Sequence, residues 1–176
     1  YKLFKKNLLK ENEILKLRKY ADKKKIIFFF TAGDFKSLNL AKKFKMPAVK
    51  ISSGLMTNTP LVTEASKIGV PIIISTGMCF KKEINKTYKI AKKFNKSGVA
   101  LLKCTSLYPA SDNTINLLAI KNFISTFKVP IGYSDHTKGN LASLLAVSLG
   151  ATIIEKHFTL NKKQKGADHK FSLEPK

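Results

Sequence analysis

Two histidines each follow an apolar run of the kind that forms a buried β-strand. Residues 129–133 precede His136, residues 151–154 precede His157, and a helical pattern that ends at Gly150 lies between them. The order strand, helix, strand predicts a parallel βαβ unit, so both imidazoles are expected at the same carboxyl edge, where α/β proteins bind ligands. They could hold one divalent metal with positions left open for substrate. The alternative is that each histidine caps its strand or bonds to the backbone.

A lysine and a set of hydroxyl groups are predicted at the same edge. Lys50 lies within an apolar strand, where a buried ammonium needs an anionic partner; the alternative is a side chain that extends outward to solvent. Hydroxyls beside exposed backbone N–H groups can bind a phosphate or a carboxylate, although any one of them could instead cap a turn or a helix. The hydroxyl residues at or just after predicted strand ends are Thr31, Ser53, Ser75, Ser106 and Ser134.

The elements that must position these groups repeat along the chain. Apolar runs at 26–31, 47–51, 70–75 and 99–104 alternate with helical patterns, the first of which covers 8–24. Strands that are apolar on both faces and alternate with helices predict a parallel sheet covered on both sides. Neither a GxGxxG nor a Walker motif is present, which disfavours a nucleotide-binding sheet. The prediction is an α/β fold of the (β/α)8 TIM-barrel type, incomplete, with about six of the eight strands present and the first two missing.

Capping residues predict where two of the helices begin. Asp34 is expected to cap a helix that ends near Lys45. Thr59, which stands before a proline, is expected to cap a helix that ends near Gly69.

The chain is strongly basic, with a formal net charge of +22 over 176 residues. Nearly all of this charge comes from scattered lysines, with Arg18 the single arginine. Because arginine is the side chain that reads phosphates and base edges bidentately, we expect no nucleic-acid partner. Apolar runs stay well short of the ~20 residues that a membrane span needs, and no secretory signal is evident. We therefore expect a cytoplasmic protein with no membrane association.

Six motifs in order along the chain resemble the sialic acid synthase family, which includes N-acetylneuraminate, legionaminate and pseudaminate synthases. The resemblance covers about residues 26–175. The motifs are KISSG from Lys50, ISTGM from Ile74, LKCTS from Leu102 with Tyr108 and Pro109, GYSDHT from Gly132, EKHFT from Glu155 and DHKFSLEP from Asp168.

The resemblance implies a transferase that condenses phosphoenolpyruvate with an N-acetylated amino sugar, such as N-acetylmannosamine, and releases phosphate. It implies catalytic roles for Lys50, His136 and His157, with the two histidines as ligands of Mn²⁺ or Mg²⁺. Tyr108 and Asp168 match positions that contact the sugar. The phosphoenolpyruvate-binding positions are Thr31, Lys50, Ser53, Ser75, Ser106 and Ser134. The family is homodimeric, with a (β/α)8 barrel followed by a small antifreeze-like domain.

The chain departs from the family pattern in ways that bear on activity. Leu55 stands where the family has a glutamate after Ser-Gly. The first two strands and the antifreeze-like domain are not in this sequence, so residues 1–176 are expected to form one partial barrel domain. We therefore expect impaired condensation by this chain alone.

Three other functions stay open from the residues. A Schiff-base aldolase could use Lys50 or Lys103 as its nucleophile. The departures from the family pattern would also fit an inactive remnant or a binding module. The basic charge would fit a nucleic-acid binder without base preference, although the scarcity of arginine argues against it.

Overall fold

The chain is an α/β structure built on one parallel sheet, seen in a computed structural model that describes residues 8–175. The strands are β1 (Val49–Ile51), β2 (Ile72–Ser75), β3 (Val99–Cys104), β4 (Ile131–Asp135) and β5 (Ile153–Lys156). The helices are α1 (Glu11–Lys23), α2 (Phe35–Lys43), α3 (Thr59–Ser66), α4 (Lys81–Phe94), α5 (Ala119–Thr126) and α6 (Leu141–Ser148). Short 3-10 turns occupy Ser53–Leu55, Asp112–Thr114 and His169–Phe171.

The five strands lie in chain order, β1-β2-β3-β4-β5, and every neighbouring pair is parallel. Each strand except the last is followed by a helix before the next begins, as in a (β/α)8 barrel. The sheet curls into half a barrel. The predicted α/β fold of incomplete TIM-barrel type is confirmed.

Residues 26–31 do not form the sixth strand that their apolar run predicts. Within the described residues this segment pairs with the sheet through one parallel bridge, between Thr31 and Lys50, in which the N–H of Ala32 donates to the carbonyl oxygen of Lys50. β1 is only three residues long and offers few partners, while Ile26 and Ile27 are largely exposed. The segment therefore lies along the sheet edge as a single contact.

The strand register sorts side chains onto two faces of the sheet. Lys50 pairs with Ile73, and Ser134 pairs with both Cys104 and Glu155. Since register partners in a parallel sheet point the same way, these side chains share the concave face, the inside of the half-barrel. The alternate residues pack against the helices and form the core, among them Val49, Ile51, Ile72, Ile74, Val99, Leu101, Ile131 and Tyr133.

The helix starts follow local capping chemistry. Asp34 caps α2 as predicted, since its Oδ1 accepts the backbone N–H of Ser37 at 2.7 Å. The predicted cap at Thr59 is wrong by one position. Asn58 caps α3 instead, because its Oδ1 accepts the N–H of Leu61 and Thr59 already belongs to the first turn. No helix between residues 8 and 175 is both long and apolar enough to cross a membrane.

Candidate active site at the carboxyl edge

The carboxyl ends of the strands gather the polar groups of the concave face. Ser75 ends β2, while His136 and His157 come directly after β4 and β5. They continue the alternation that puts Ser134 and Glu155 on the concave face, so the same face carries the imidazoles. This edge is where β/α barrels bind their ligands.

Lys50 forms an ion pair with Glu155, which lies on the same concave face at the opposite edge of the sheet. Its Nζ lies 3.0 Å from Glu155 Oε2 and 3.3 Å from Oε1. Ser134 donates its hydroxyl to the same Oε1 at 2.6 Å. The side chain of Lys50 is only 8% exposed and that of Glu155 is 42% exposed. The buried lysine thus has the anionic partner that its strand position requires, and the partner is the more accessible of the two groups.

The hydroxyls of Ser53 and Ser106 come together around Gly77, in the segments that follow β1, β3 and β2. Ser53 Oγ accepts the backbone N–H of Gly77 at 2.9 Å. A Cβ at Gly77 would collide with Ser106 Oγ and would lie 2.9 Å from Ser53 Oγ. The lack of a side chain at Gly77 is therefore what lets Ser53 and Ser106 approach one another.

Ser75 and Thr31 lie beside this group in different ways. The hydroxyl oxygen of Ser75 is buried and has no hydrogen-bond partner among the described residues. A buried hydroxyl in that condition is costly unless a ligand or water completes it. Thr31 is exposed and lies next to Lys50 through the isolated bridge.

The two imidazoles face each other across the ends of β4 and β5. Their ring centroids are 5.3 Å apart in an edge-to-face arrangement. The ring centroid of Tyr108 lies 4.1 Å from that of His136 and 5.8 Å from that of His157, so Tyr108 packs against both imidazoles. His136 Nδ1 lies 2.8 Å from the carbonyl oxygen of Thr105 and donates to it, which leaves Nε2 with the free lone pair in the neutral ring.

His157 is flanked by the carboxylate of Asp168 and the aromatic ring of Phe171. Its Nδ1 is 3.7 Å from Asp168 Oδ2, and the ring of Phe171 is 5.0 Å away. Burial lowers the pKa of His157, and this outweighs the opposite effect of Asp168. The pKa of His136 is also lowered by burial, but its contacts with Cys104 and the Thr105 carbonyl outweigh burial and raise it overall.

The histidine pair has the donor chemistry of a metal site with few protein ligands. No group of three or more histidine, cysteine or acidic side chains suited to a metal occurs within residues 8–175. His136 donates its other ring N–H to a backbone carbonyl, as metal-binding histidines commonly do. Two imidazole nitrogens fit Mn²⁺ better than Mg²⁺, which prefers oxygen. The remaining positions around such an ion would be left for substrate and water.

Lys103 does not belong to this site. It alternates with Leu102 and Cys104 on β3 and so faces the helices, where a cavity of about 600 Å³ is lined partly by Phe123 and Phe127. Burial lowers the pKa of Lys103. Its ammonium donates to the hydroxyl of Thr105 at 2.8 Å and also to the Ile115 carbonyl. Lys50 and Lys103 therefore lie on opposite faces of the sheet.

Glu155 and Cys104 are site residues that the sequence argument did not single out. Glu155 stands two positions before His157, so strand alternation alone places both on one face. Cys104 lies 3.9 Å from His136 Nδ1 and 4.0 Å from Ser106 Oγ. Burial alone would raise the pKa of the Cys104 thiol, but its contacts with His136 and Ser53 lower it.

These features define a β/α half-barrel with a candidate ligand site at the carboxyl edge of the strands. The chain belongs to the NeuB family, whose sequence profile matches residues 1–176. The predicted resemblance to sialic acid synthases is thereby confirmed.

Relatives and solved structures agree with this assignment. An N,N'-diacetyllegionaminic acid synthase of Campylobacter jejuni is 43% identical over 158 residues, which are 89% of this chain and 47% of the relative. The crystal structure of an N-acetylneuraminic acid (sialic acid) synthetase from Leptospira borgpetersenii superposes with a TM-score of 0.92 at 40% identity, over 95% of this chain and 58% of that one. A DAHP synthase of Thermotoga maritima, at 20% identity and a TM-score of 0.80 over 93% and 51% of the two chains, shares the fold. The chain spans about half the length of the curated relatives it matches.

Proposed function

We propose that this chain carries the condensing site of a nonulosonate synthase, which joins phosphoenolpyruvate to an N-acetylated amino sugar and releases phosphate. The observation that carries the proposal is the grouping of Lys50 and His136 with His157 on one concave face, in a chain of the NeuB family. Lys50 supplies a cation for an anionic substrate, and the two imidazoles supply nitrogen ligands for a metal.

Phosphoenolpyruvate would bind among Lys50 and the hydroxyls of the concave face. The Lys50 ammonium would exchange part of its contact with Glu155 for the phosphate or carboxylate of the substrate, since Glu155 is the more exposed partner. Ser75 brings a buried hydroxyl with no other partner among the described residues. Thr31, Ser53, Ser106 and Ser134 complete the proposed anion site. Charge-assisted hydrogen bonds from such groups fix the enol carbon within reach of the aldehyde, which is a large part of the rate gain in bimolecular chemistry.

The amino sugar would bind beside the histidines. Tyr108 offers an aromatic face above His136 and His157, and Asp168 offers a carboxylate for sugar hydroxyls. Mn²⁺ or Mg²⁺ held by the two imidazoles would supply Lewis-acid polarisation of the sugar aldehyde. The Thr105 carbonyl keeps His136 in the tautomer that presents Nε2.

Leu55 leads us to infer slow condensation by this chain alone. It ends the 3-10 turn Ser53–Leu55, beside the proposed anion site, and supplies no carboxylate there. Leu55→Glu is expected to raise the turnover rate, and an unchanged rate in a folded variant contradicts the inference. We also propose that residues 1–176 form one partial barrel domain and that the protein is a homodimer. Light scattering of the purified protein measures the oligomeric state.

A Schiff-base aldolase using Lys50 is the second candidate, favoured by the burial of this amine on the concave face. Borohydride reduction in the presence of pyruvate would attach a stable adduct to Lys50 in that case. Mass spectrometry of the reduced protein decides between the two chemistries, since the metal-dependent route forms no bond to lysine.

The central test measures phosphate release from phosphoenolpyruvate with N-acetylmannosamine or a diacetylated analogue in the presence of Mn²⁺. Binding of phosphoenolpyruvate is measured in parallel by calorimetry, because a slow catalyst still binds its substrate. Lys50→Met is expected to weaken that binding by about tenfold or more, the worth of a charged hydrogen bond. Lys67→Met removes a half-exposed lysine that pairs with Glu64 on α3 and serves as the matched control. Equal binding by wild type and Lys50→Met would contradict the proposal.

A further inference from the structure

A buried ion pair between Asp135 and Lys156 lies on the helix-facing side of the sheet, one residue before each of the two histidines. Lys156 Nζ is 2.9 Å from Asp135 Oδ2, and the side chains are 9% and 0% exposed. Asp135 immediately precedes His136 and Lys156 immediately precedes His157. The pair lies on the opposite face of the sheet from Ser134 and Glu155, so the proposed reaction does not use it directly.

The pair is one step in a ladder of contacts between β4 and β5. Ser134 pairs in register with Glu155 and hydrogen-bonds to it on the concave face. Asp135 and Lys156 are the next register pair and meet on the opposite face. The histidines come one position later, past the last paired residues, and return to the concave face. The ion pair is thus the last cross-strand contact before the imidazoles.

Further bonds extend this anchor beyond the ends of the strands. Asp135 Oδ1 accepts both the backbone N–H and the hydroxyl of Thr137 at 2.8 Å. Asp135 Oδ2 also accepts the hydroxyl of Ser143 on α6 at 2.6 Å. Lys156 donates to the carbonyl oxygen of Thr137 as well. His136 therefore lies between two residues whose positions are fixed by the same buried network.

The structure assigns Asp135 and Lys156 the role of positioning residues that set the spacing and direction of the His136 and His157 rings. A one-residue slip of β5 against β4 would turn His157 to the opposite face of the sheet and separate it from His136, because side chains alternate along a strand. A buried opposite-charge pair at that register position penalises the slip, since each charge would lose its partner. This inference rests on the proposed function for the metal-binding use of the rings, but the geometric role can be measured without metal.

The test uses the double variant Asp135→Asn with Lys156→Met. Removing one partner alone would leave a buried charge unpaired and could unfold the chain, whereas the double variant removes the contact and leaves no charge behind. Ile72→Val is the matched control, because it removes a methyl from a fully buried side chain on β2, which is not a neighbour of β4 or β5. A dispersed amide spectrum establishes that each variant is folded.

Two measurements report on the rings. The first is the proton–proton NOE between the rings of His136 and His157 in metal-free protein, which their 5.3 Å separation makes observable in the wild type. We expect it to be lost or strongly weakened in the double variant and kept in Ile72→Val. The second is the Kd for Mn²⁺, expected to rise by about tenfold in the double variant, the lower end of what disturbing the groups that orient a metal-binding histidine costs.

An unchanged ring contact in the folded double variant overturns the positioning role. An unchanged Mn²⁺ affinity in a protein whose His136→Ala variant no longer binds the ion overturns it as well. If the wild-type chain binds no Mn²⁺, the metal site of the proposed function fails, and the ring contact alone decides the role of Asp135 and Lys156.

Discussion

Lys50 and Glu155 form an ion pair with a 3.0 Å separation although they lie on the first and last strands of the sheet. Neighbouring strands are about 4.8 Å apart, so β1 and β5 would be about 19 Å apart in a flat five-stranded sheet, too far for the two side chains to meet. The pair therefore requires the curl of a half-barrel. It also places a cation and an anion in the mouth of the proposed substrate site.

Glu155→Gln is expected to lower the KM for phosphoenolpyruvate. The substitution removes the carboxylate that competes with the substrate for Lys50 and keeps the acceptor for the hydroxyl of Ser134. An ion pair with one partly exposed partner is worth ~1 kcal/mol, so the expected change is about fivefold. Steady-state kinetics measures it, with Glu64→Gln, which breaks the exposed pair with Lys67, as the control. A higher KM in Glu155→Gln would show that the carboxylate assists binding.

Gly77→Ala is expected to destabilise the chain and to weaken substrate binding. The new Cβ would collide with Ser106 Oγ and press on Ser53 Oγ, so two of the proposed anion-binding hydroxyls must move. Overpacking of this kind costs ~1–3 kcal/mol of unfolding free energy. Urea unfolding and calorimetry with phosphoenolpyruvate measure the two effects. At Gly33 an added Cβ meets nothing within 4 Å, so Gly33→Ala should keep wild-type binding; equal behaviour of the two variants contradicts the prediction.

Removal of either imidazole is expected to abolish binding of the metal. His136→Ala and His157→Ala should each weaken Mn²⁺ affinity by more than the ~10–100-fold that loss of an outer-shell partner costs. A chelator should suppress phosphate release by the wild-type chain, and added Mn²⁺ should restore it. His169→Ala is the control, because His169 hydrogen-bonds to Thr159 and is not part of the histidine pair. Retained Mn²⁺ affinity in His136→Ala would remove the metal from the proposal.

Asp34→Ala is expected to lower the unfolding free energy by ~1 kcal/mol through loss of a helix cap. The backbone N–H and hydroxyl of Ser37 hold the pKa of Asp34 below its ordinary value. Because the folded-state pKa is depressed, this stabilisation is complete above the unfolded-state pKa of ~3.9 and is lost as the pH falls through the folded-state pKa. The difference in Tm between wild type and Asp34→Ala should therefore shrink in acid. A difference that is independent of pH over that range would mean that the ionised cap is not its source.

Local patterns in the sequence determine the parallel β/α order, because the alternation of apolar runs with helical periods is a property of short segments. The same alternation puts His136 and His157 at one edge, since each directly follows a strand of a single βαβ unit. The Asp34 cap is likewise local, with its partner three residues away.

Tertiary structure decided the partners that lie far apart in the chain. Glu155 meets Lys50 across 105 residues because the sheet curls, and no local pattern encodes that curvature. Strand register decided that Lys50 lies on the concave face while Lys103 faces the helices, although both are lysines within apolar strands. Residues 26–31 remained a single bridge because pairing needs a neighbour as well as a suitable composition. Composition and periodicity indicate which segments are able to form strands, whereas the contacts between distant side chains depend on how the strands are assembled.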